Sequence, residues 1–218
     1  MIWDICMIHL KTDEEIELMR KSAKLAAEVL IMIEPYVKPG VTTNRLDEIC
    51  HDFIVSNGAV PSPLNYRGFP KSICSSINEE ICHGIPSDRK LRNGDVVNLD
   101  ITTYLNGFHG DTSRMFHVGS ARKKMTKLVE TCKEALQSAI KLVKPGAHLG
   151  DIGATIQNIA EQRGFSVVRE FCGHGIGRSF HEDPQVLHVG TFGEGIELKK
   201  GMVFTIEPMI NEGKPDLE

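Results

Sequence analysis

The chain has 218 residues, 41% apolar and 25% charged, with 25 Lys and Arg against 29 Asp and Glu and a formal net charge of −4. That describes an ordinary globular domain, long enough to bury more than half of the surface its unfolded state exposes. The mildly acidic balance excludes nucleic acid or an anionic membrane as the main partner, because such binding draws on clustered Lys and Arg. The one short basic run, Arg122-Lys123-Lys124 with Lys127, reads as a solvated helix face.

The first residues, MIWDICMIHLKTDEE, lack the basic start and continuous apolar core of a signal peptide, and no apolar stretch is long enough to span a bilayer. A cytoplasmic protein is expected. The six cysteines, at 6, 50, 74, 82, 132 and 172, contain no CxxC. They read as reduced thiols without a structural zinc site.

In chain order, Thr12 with Glu15 forms a capping-box signal, and Met19, Ala23, Ala26 and Leu30 follow helical spacing. Val37-Lys38-Pro39-Gly40 then breaks the pattern. A second helix is expected from Leu46, Ile49, Cys50, Phe53 and Ile54. Residues 95–104 and 108–118 read as strands, joined through Asn106-Gly107, a strong hairpin signal.

The same order then recurs. Val143-Lys144-Pro145-Gly146 repeats the first break 106 positions later, flanked by Met125, Val129, Cys132 and Leu136 and by Ile152, Ile156 and Ile159. The segment Leu198–Glu207 repeats Leu91–Asp100 at an offset of 107. The chain therefore reads as one domain, 1–218, of two similar halves, about 12–118 and 119–218, each helix–helix–strand. The fold class is α+β.

A two-residue turn at 106–107 makes Thr102 face Asp111 and Asp100 face Ser113. Asp100, Thr102 and Asp111 then share one face, with the two acids diagonal neighbours roughly 7–8 Å apart at Cα. Two acids turned together call for a shared proton or for cations, and two divalent ions roughly 3.5–4 Å apart fit such a gap. The repeat places a third acid, Glu207, at the counterpart of Asp100.

Among nine histidines, His83 in Cys82-His83-Gly84-Ile85-Pro86, and His174 and His181 in Gly173-His174-Gly175-Ile176-Gly177…Phe180-His181, sit where glycines let the backbone come close to another group. There is no HExxH. His9, His51, His109, His117, His148 and His188 read as surface or satisfied core residues.

The segments NYRGFPKSICSSINEEICHGIP (65–86), GDVVNLDITTYLNGFHGDTSRMF (94–116), EFCGHGIGRSFHEDPQVLH (170–188) and GMVFTIEPMI (201–210) carry a resemblance that runs from about Leu10 to Lys214. By these motifs the chain resembles the type I methionine aminopeptidases of the pita-bread fold. The resemblance implies pseudo-two-fold duplicated halves that share one curved antiparallel sheet. The implied activity is a cytoplasmic hydrolase that removes the initiator Met from nascent chains with a small second residue.

By the same resemblance Asp100, Asp111, His174 and Glu207 are ligands of two divalent ions, and Co, Mn, Fe(II) or Zn all suit that set. Glu207 is implied as the general base. His83 is implied to assist the leaving amine and His181 to stabilise the oxyanion. Tyr66, Phe69, Cys74 and Phe180 are implied to line the Met pocket together with His83 and His181; Arg67 departs from the His many relatives carry and touches only the pocket rim. Expected partners are nascent peptide N-termini, with ribosome association, a monomeric state and no direct nucleic-acid or membrane binding.

One departure lies at the end. Eleven residues follow Glu207, where the family has a further strand and a final metal-bridging Glu, so the chain reads as lacking its last strand. Glu218 lies 107 positions after Asp111 but is not expected to replace that ligand, because a chain-terminal residue with no return strand is poorly fixed. Weak metal binding and little Met release are expected on that reading. The alternative is an inactive pita-bread domain that binds nascent chains or a partner; retention of all four ligands favours the enzyme.

Overall fold

The computed structural model describes residues 7–120 and 122–216. Cys6 and Glu218 lie outside them. The chain divides into two compact units, one from Glu14–Met125 with Arg178–Phe180, the other from the residues up to Asp13, Thr126–Gly177 and His181 onward.

In the first unit, helix α1 (Asp13–Ile33) buries Met19, Leu25, Ala26, Val29, Leu30 and Ile33; of the stripe its spacing predicts, Met19, Ala26 and Leu30 are buried and Ala23 is exposed. It gives way at Glu34-Pro35 to one 3₁₀ turn, since the residue before a proline disfavours helix. Helix α2 (Thr43–Ser56) starts at Thr42, whose hydroxyl accepts the Arg45 N–H at 3.1 Å. Between the helices Gly40 adopts φ +89°, and its N–H donates to Leu91 C=O while Leu91 N–H donates to Val41 C=O, each at 2.8 Å. These bonds tie the interhelical break to the approach of the central strand.

That strand is β3 (Val96–Leu105). β4 (Phe108–His117) runs along one edge, while β1 (Val60–Pro61) and β2 (Cys74–Ile77) share the other, all antiparallel. Asn106 and Gly107 both take positive φ, 54° and 84°, the conformation of a two-residue hairpin turn matched to strand twist. The register follows as expected: Thr102 opposes Asp111 and Asp100 opposes Ser113. Val97, Leu99 and Ile101 occupy the other face of β3 and join the helices in one core.

The second unit repeats the plan. Helices α3 (Lys123–Ile140) and α4 (Leu149–Gln162) flank Gly146, whose φ of +87° copies Gly40. Gly146 N–H donates to Leu198 C=O at 3.0 Å and Leu198 N–H to Ala147 C=O at 2.7 Å, the same two bonds at the repeat offset. β5 (Ser166–Val167) pairs with β8 (Ile210–Asn211) as β1 pairs with the end of β3. β6 (Gly173–Gly175) pairs with β7 (Glu182–Val186), and His174 C=O accepts Thr205 N–H at 2.8 Å. No helix among the described residues is long and apolar enough to cross a membrane.

Helix α1 lies flush on the hairpin. Ser22 Oγ donates to Thr103 C=O, and Thr103 Oγ1 donates to Ser22 C=O, both at 2.9 Å. Opposite Thr103, Gly110 leaves no room: a Cβ there would stand 2.2 Å from Ala23 N and 2.4 Å from Ser22 C. Gly110→Ala is expected to destabilise the fold by about 1–3 kcal/mol, read as a lowered urea midpoint. Gly213→Ala, with nothing within 4 Å of the added carbon, leaves the midpoint unchanged. Equal midpoints for both variants would show that α1 can lift away.

Candidate metal centre and active-site residues

In the first unit the hairpin register turns Asp100, Thr102 and Asp111 to one face, with Thr102 buried and both acids half-buried. β2 adds Cys74 directly opposite Asp100. Burial pushes the Cys74 thiol well above its ordinary range, and the charges of Asp100 and Asp111 push the same way. A buried neutral thiol therefore sits beside two carboxylates. Ser75 N–H donates to Gly84 C=O at 2.8 Å, which lays the segment carrying His83 along β2; His83 itself is exposed with φ +56°.

The same unit gathers aromatic groups. Tyr66 and Phe180 meet at a ring separation of 5.0 Å, and His109 stacks on Phe180 at 5.4 Å with 15° between planes. Phe69 N–H donates to Tyr66 C=O at 2.9 Å, closing the turn that holds Tyr66. Within that turn Arg67 adopts φ +48° and lays its guanidinium over the Tyr66 ring at 5.3 Å. Arg178, two residues before Phe180, packs over Phe108 at 4.4 Å and pairs with Glu15 at 3.1 Å.

In the second unit His174 Nδ1 lies 2.8 Å from Gly175 C=O. A carbonyl only accepts, so Nδ1 carries the proton and Nε2 offers its electron pair. That Nε2 stands 3.6 Å from Glu207 Oε1. The other ring on His174 is His181, with centroids 4.1 Å apart. Thr205 Oγ1 donates to Glu207 Oε1 at 2.6 Å, yet burial outweighs that bond and raises the Glu207 carboxyl above its ordinary range. Lys11 and Glu182 form a buried ion pair beside His181.

An imidazole nitrogen and a carboxylate oxygen that face each other repel unless a proton or a cation lies between them. A ring whose other nitrogen donates to a carbonyl is the usual condition of a metal-ligating histidine. The donor chemistry of each unit thus fits a divalent cation. Among the described residues no group of three or more His, Cys, Asp or Glu by itself could hold a metal ion. Asp100 with Asp111, and His174 with Glu207, are two pairs of electron-pair donors, one pair in each unit.

Residues 17–216 match metallopeptidase family M24. The chain belongs to that family. This M24 chain is a metal-dependent peptidase. It is 57% identical over 212 residues to the methionine aminopeptidase of Escherichia coli strain K12, spanning 96% of this chain and 80% of that protein. The crystal structure of methionine aminopeptidase from Rickettsia prowazekii superposes with a TM-score of 0.95 at 53% identity, covering 96% of this chain and 85% of the other. The Thermotoga maritima enzyme gives 0.94 at 38% identity, with the same two coverages. The M24 chain therefore has the pita-bread fold.

Three M24 side chains read as ordinary from the sequence stand against these groups. His109, two residues before Asp111 on the same strand, bonds Ser62 Oγ through Nδ1 at 2.8 Å and stacks on Phe180; its parity with Asp111 is the signal that finds it. His188 is buried, and its Nε2 accepts the Glu207 N–H at 3.2 Å. Burial lowers His188 to about 4, so the ring is neutral at ordinary pH. Cys132, from α3, donates to Pro208 C=O at 3.2 Å. Cys50, Cys74, Cys132 and Cys172 are free thiols.

Burial pushes the Cys132 thiol up from 9.0 to about 12. Below about pH 9 the folded and unfolded chains both keep this proton. Above it the unfolded thiol ionises first, so the unfolded state binds fewer protons and stability falls as pH rises towards 12. The loss of urea midpoint between pH 8 and pH 10 is expected to be smaller in Cys132→Val than in the unsubstituted chain. Equal losses would place this thiol in water.

Proposed function

We propose that this chain is a methionine aminopeptidase: one catalytic domain, residues 1–218, that removes the initiator Met from nascent chains with a small second residue. The observation that carries the reading is His174, whose Nδ1–H is held by Gly175 C=O so that Nε2 faces Glu207 Oε1 at 3.6 Å. The name shared by relatives at 53–57% identity supports it.

Asp100 and Asp111 from the hairpin, with His174 and Glu207, supply the ligands of two divalent ions; Mn, Fe(II), Co and Zn all suit an oxygen-rich set with one nitrogen. When bound, such ions acidify water and polarise the scissile carbonyl. Glu207 takes and holds the proton released by the attacking water; a carboxyl raised above its usual range is a stronger base for that step. His181 donates to the oxyanion that develops on the carbonyl. His83 serves the departing amine. Tyr66, Phe69, Cys74 and Phe180 take the Met side chain, and the protonated thiol of Cys74 presents an apolar, sulfur-tolerant surface to its thioether. The protein works in the cytoplasm as a monomer, on peptide N-termini emerging from the ribosome.

Hydrolysis of Met-Ala-Ser in the presence of Mn(II) or Co(II) tests the reading. Release of free Met is expected, in place of the little turnover read from the sequence, because relatives at 53–57% identity share the name methionine aminopeptidase; a chelator abolishes it and added ion restores it. Asp111→Asn is expected to lower kcat/KM at least about ten-fold. Arg67→His shifts KM rather than kcat, because Arg67 touches the Tyr66 ring and no reacting group. Failure to release Met with any of the four ions, or full turnover by Asp111→Asn, overturns the proposal.

A further inference from the structure

We propose that His188 is a positioning residue for Glu207. The inference rests on the role given to Glu207 above. His188 is 1% exposed, and its Nδ1 has no hydrogen-bond partner among the described residues. Its Nε2 lies 3.2 Å from the Glu207 backbone nitrogen, and an N–H only donates, so Nε2 is the acceptor. The single proton of the neutral ring then sits on Nδ1, the atom left without a partner. A buried donor in that condition costs folding free energy, and a Leu, Met or Phe would fill the same volume without it. What the imidazole adds is one acceptor aimed at the Glu207 N–H.

Asp100, the counterpart of Glu207, lies inside a continuous ladder, opposite Cys74 on one side and Ser113 on the other. Among the described residues, the stretch that carries Glu207 is bonded at Val203, whose C=O accepts the Ile176 N–H, at Thr205, whose N–H donates to His174 C=O, and at Met209, whose C=O accepts the Val168 N–H, before Ile210 pairs with β5. His188, two residues beyond β7, supplies the acceptor for the Glu207 N–H. On the other side Cys132 holds Pro208 C=O, and Thr205 holds the carboxylate, so backbone and side chain are fixed together.

His188→Met removes the acceptor at similar size, and His188→Gln restores an oxygen at about the reach of Nε2. The expected result is a kcat at least about ten-fold lower in His188→Met, with KM little changed, and Mn(II) affinity weakened in calorimetric titration. His188→Gln is expected to recover most of both. Retention of kcat and Mn(II) affinity by His188→Met, or equal losses in the two variants, overturns the proposal and leaves His188 a packing residue. Should His188→Met fail to fold, long-range proton–nitrogen NMR of the unsubstituted protein decides: a neutral ring protonated on Nδ1 is expected, and protonation on Nε2 refutes it. The titration and the NMR need no turnover. A chain that releases no Met therefore refutes the aminopeptidase reading without touching this one.

Discussion

Electron-pair donors turned towards one another set the terms for the rest of the molecule. Asp100 and Asp111 share a face of the hairpin, and His174 Nε2 looks at Glu207 Oε1 across 3.6 Å. Neither arrangement is favourable by itself, because partial burial strips water from groups that repel. Both become favourable around a cation. The supporting structure is therefore concerned with holding these groups where repulsion would otherwise spread them: a two-residue turn that admits one register, a glycine that brings α1 onto the strand, and a ring proton given to Gly175 C=O.

Duplication provides that support twice by the same physics. In each unit a Lys-Pro-Gly break ends in a glycine at φ near +90° and exchanges two backbone bonds with the segment leading to Asp100 or to Glu207. The break and the strand approach thus move as one piece, and the acid at the end of that segment inherits its position. The units differ beyond that point. In the first, Asp100 lies opposite Cys74 and Ser113 in a four-stranded ladder; in the second, His188 accepts the Glu207 N–H and Thr205 donates to its carboxylate.

Much of this was legible in the residues. Period-3.6 stripes located the helices, and Asn106-Gly107 set a register that the structure reproduces pair by pair, because a two-residue turn leaves no freedom in parity. The offset of 106–107 foretold equivalent glycines and equivalent backbone bonds. His188 and His109 were not legible as site residues. Each is a single histidine in an unremarkable segment, and the partner that gives it meaning, Glu207 or Phe180, is brought up only by the folded chain. Arg67 was visible as a departure, but its left-handed backbone and its place over Tyr66 were not.

The amino-acid sequence by itself determined the helices, the duplication, the hairpin register and the family, since each depends on spacing between residues close in the chain or on long runs of matching motif. Tertiary structure alone decided which nitrogen of His174 carries the proton, which group accepts the Glu207 N–H, and which buried thiols remain protonated. Those are properties of hydrogen-bond partners and of lost water, and both come from residues far apart in the chain that packing brings to the same few ångströms.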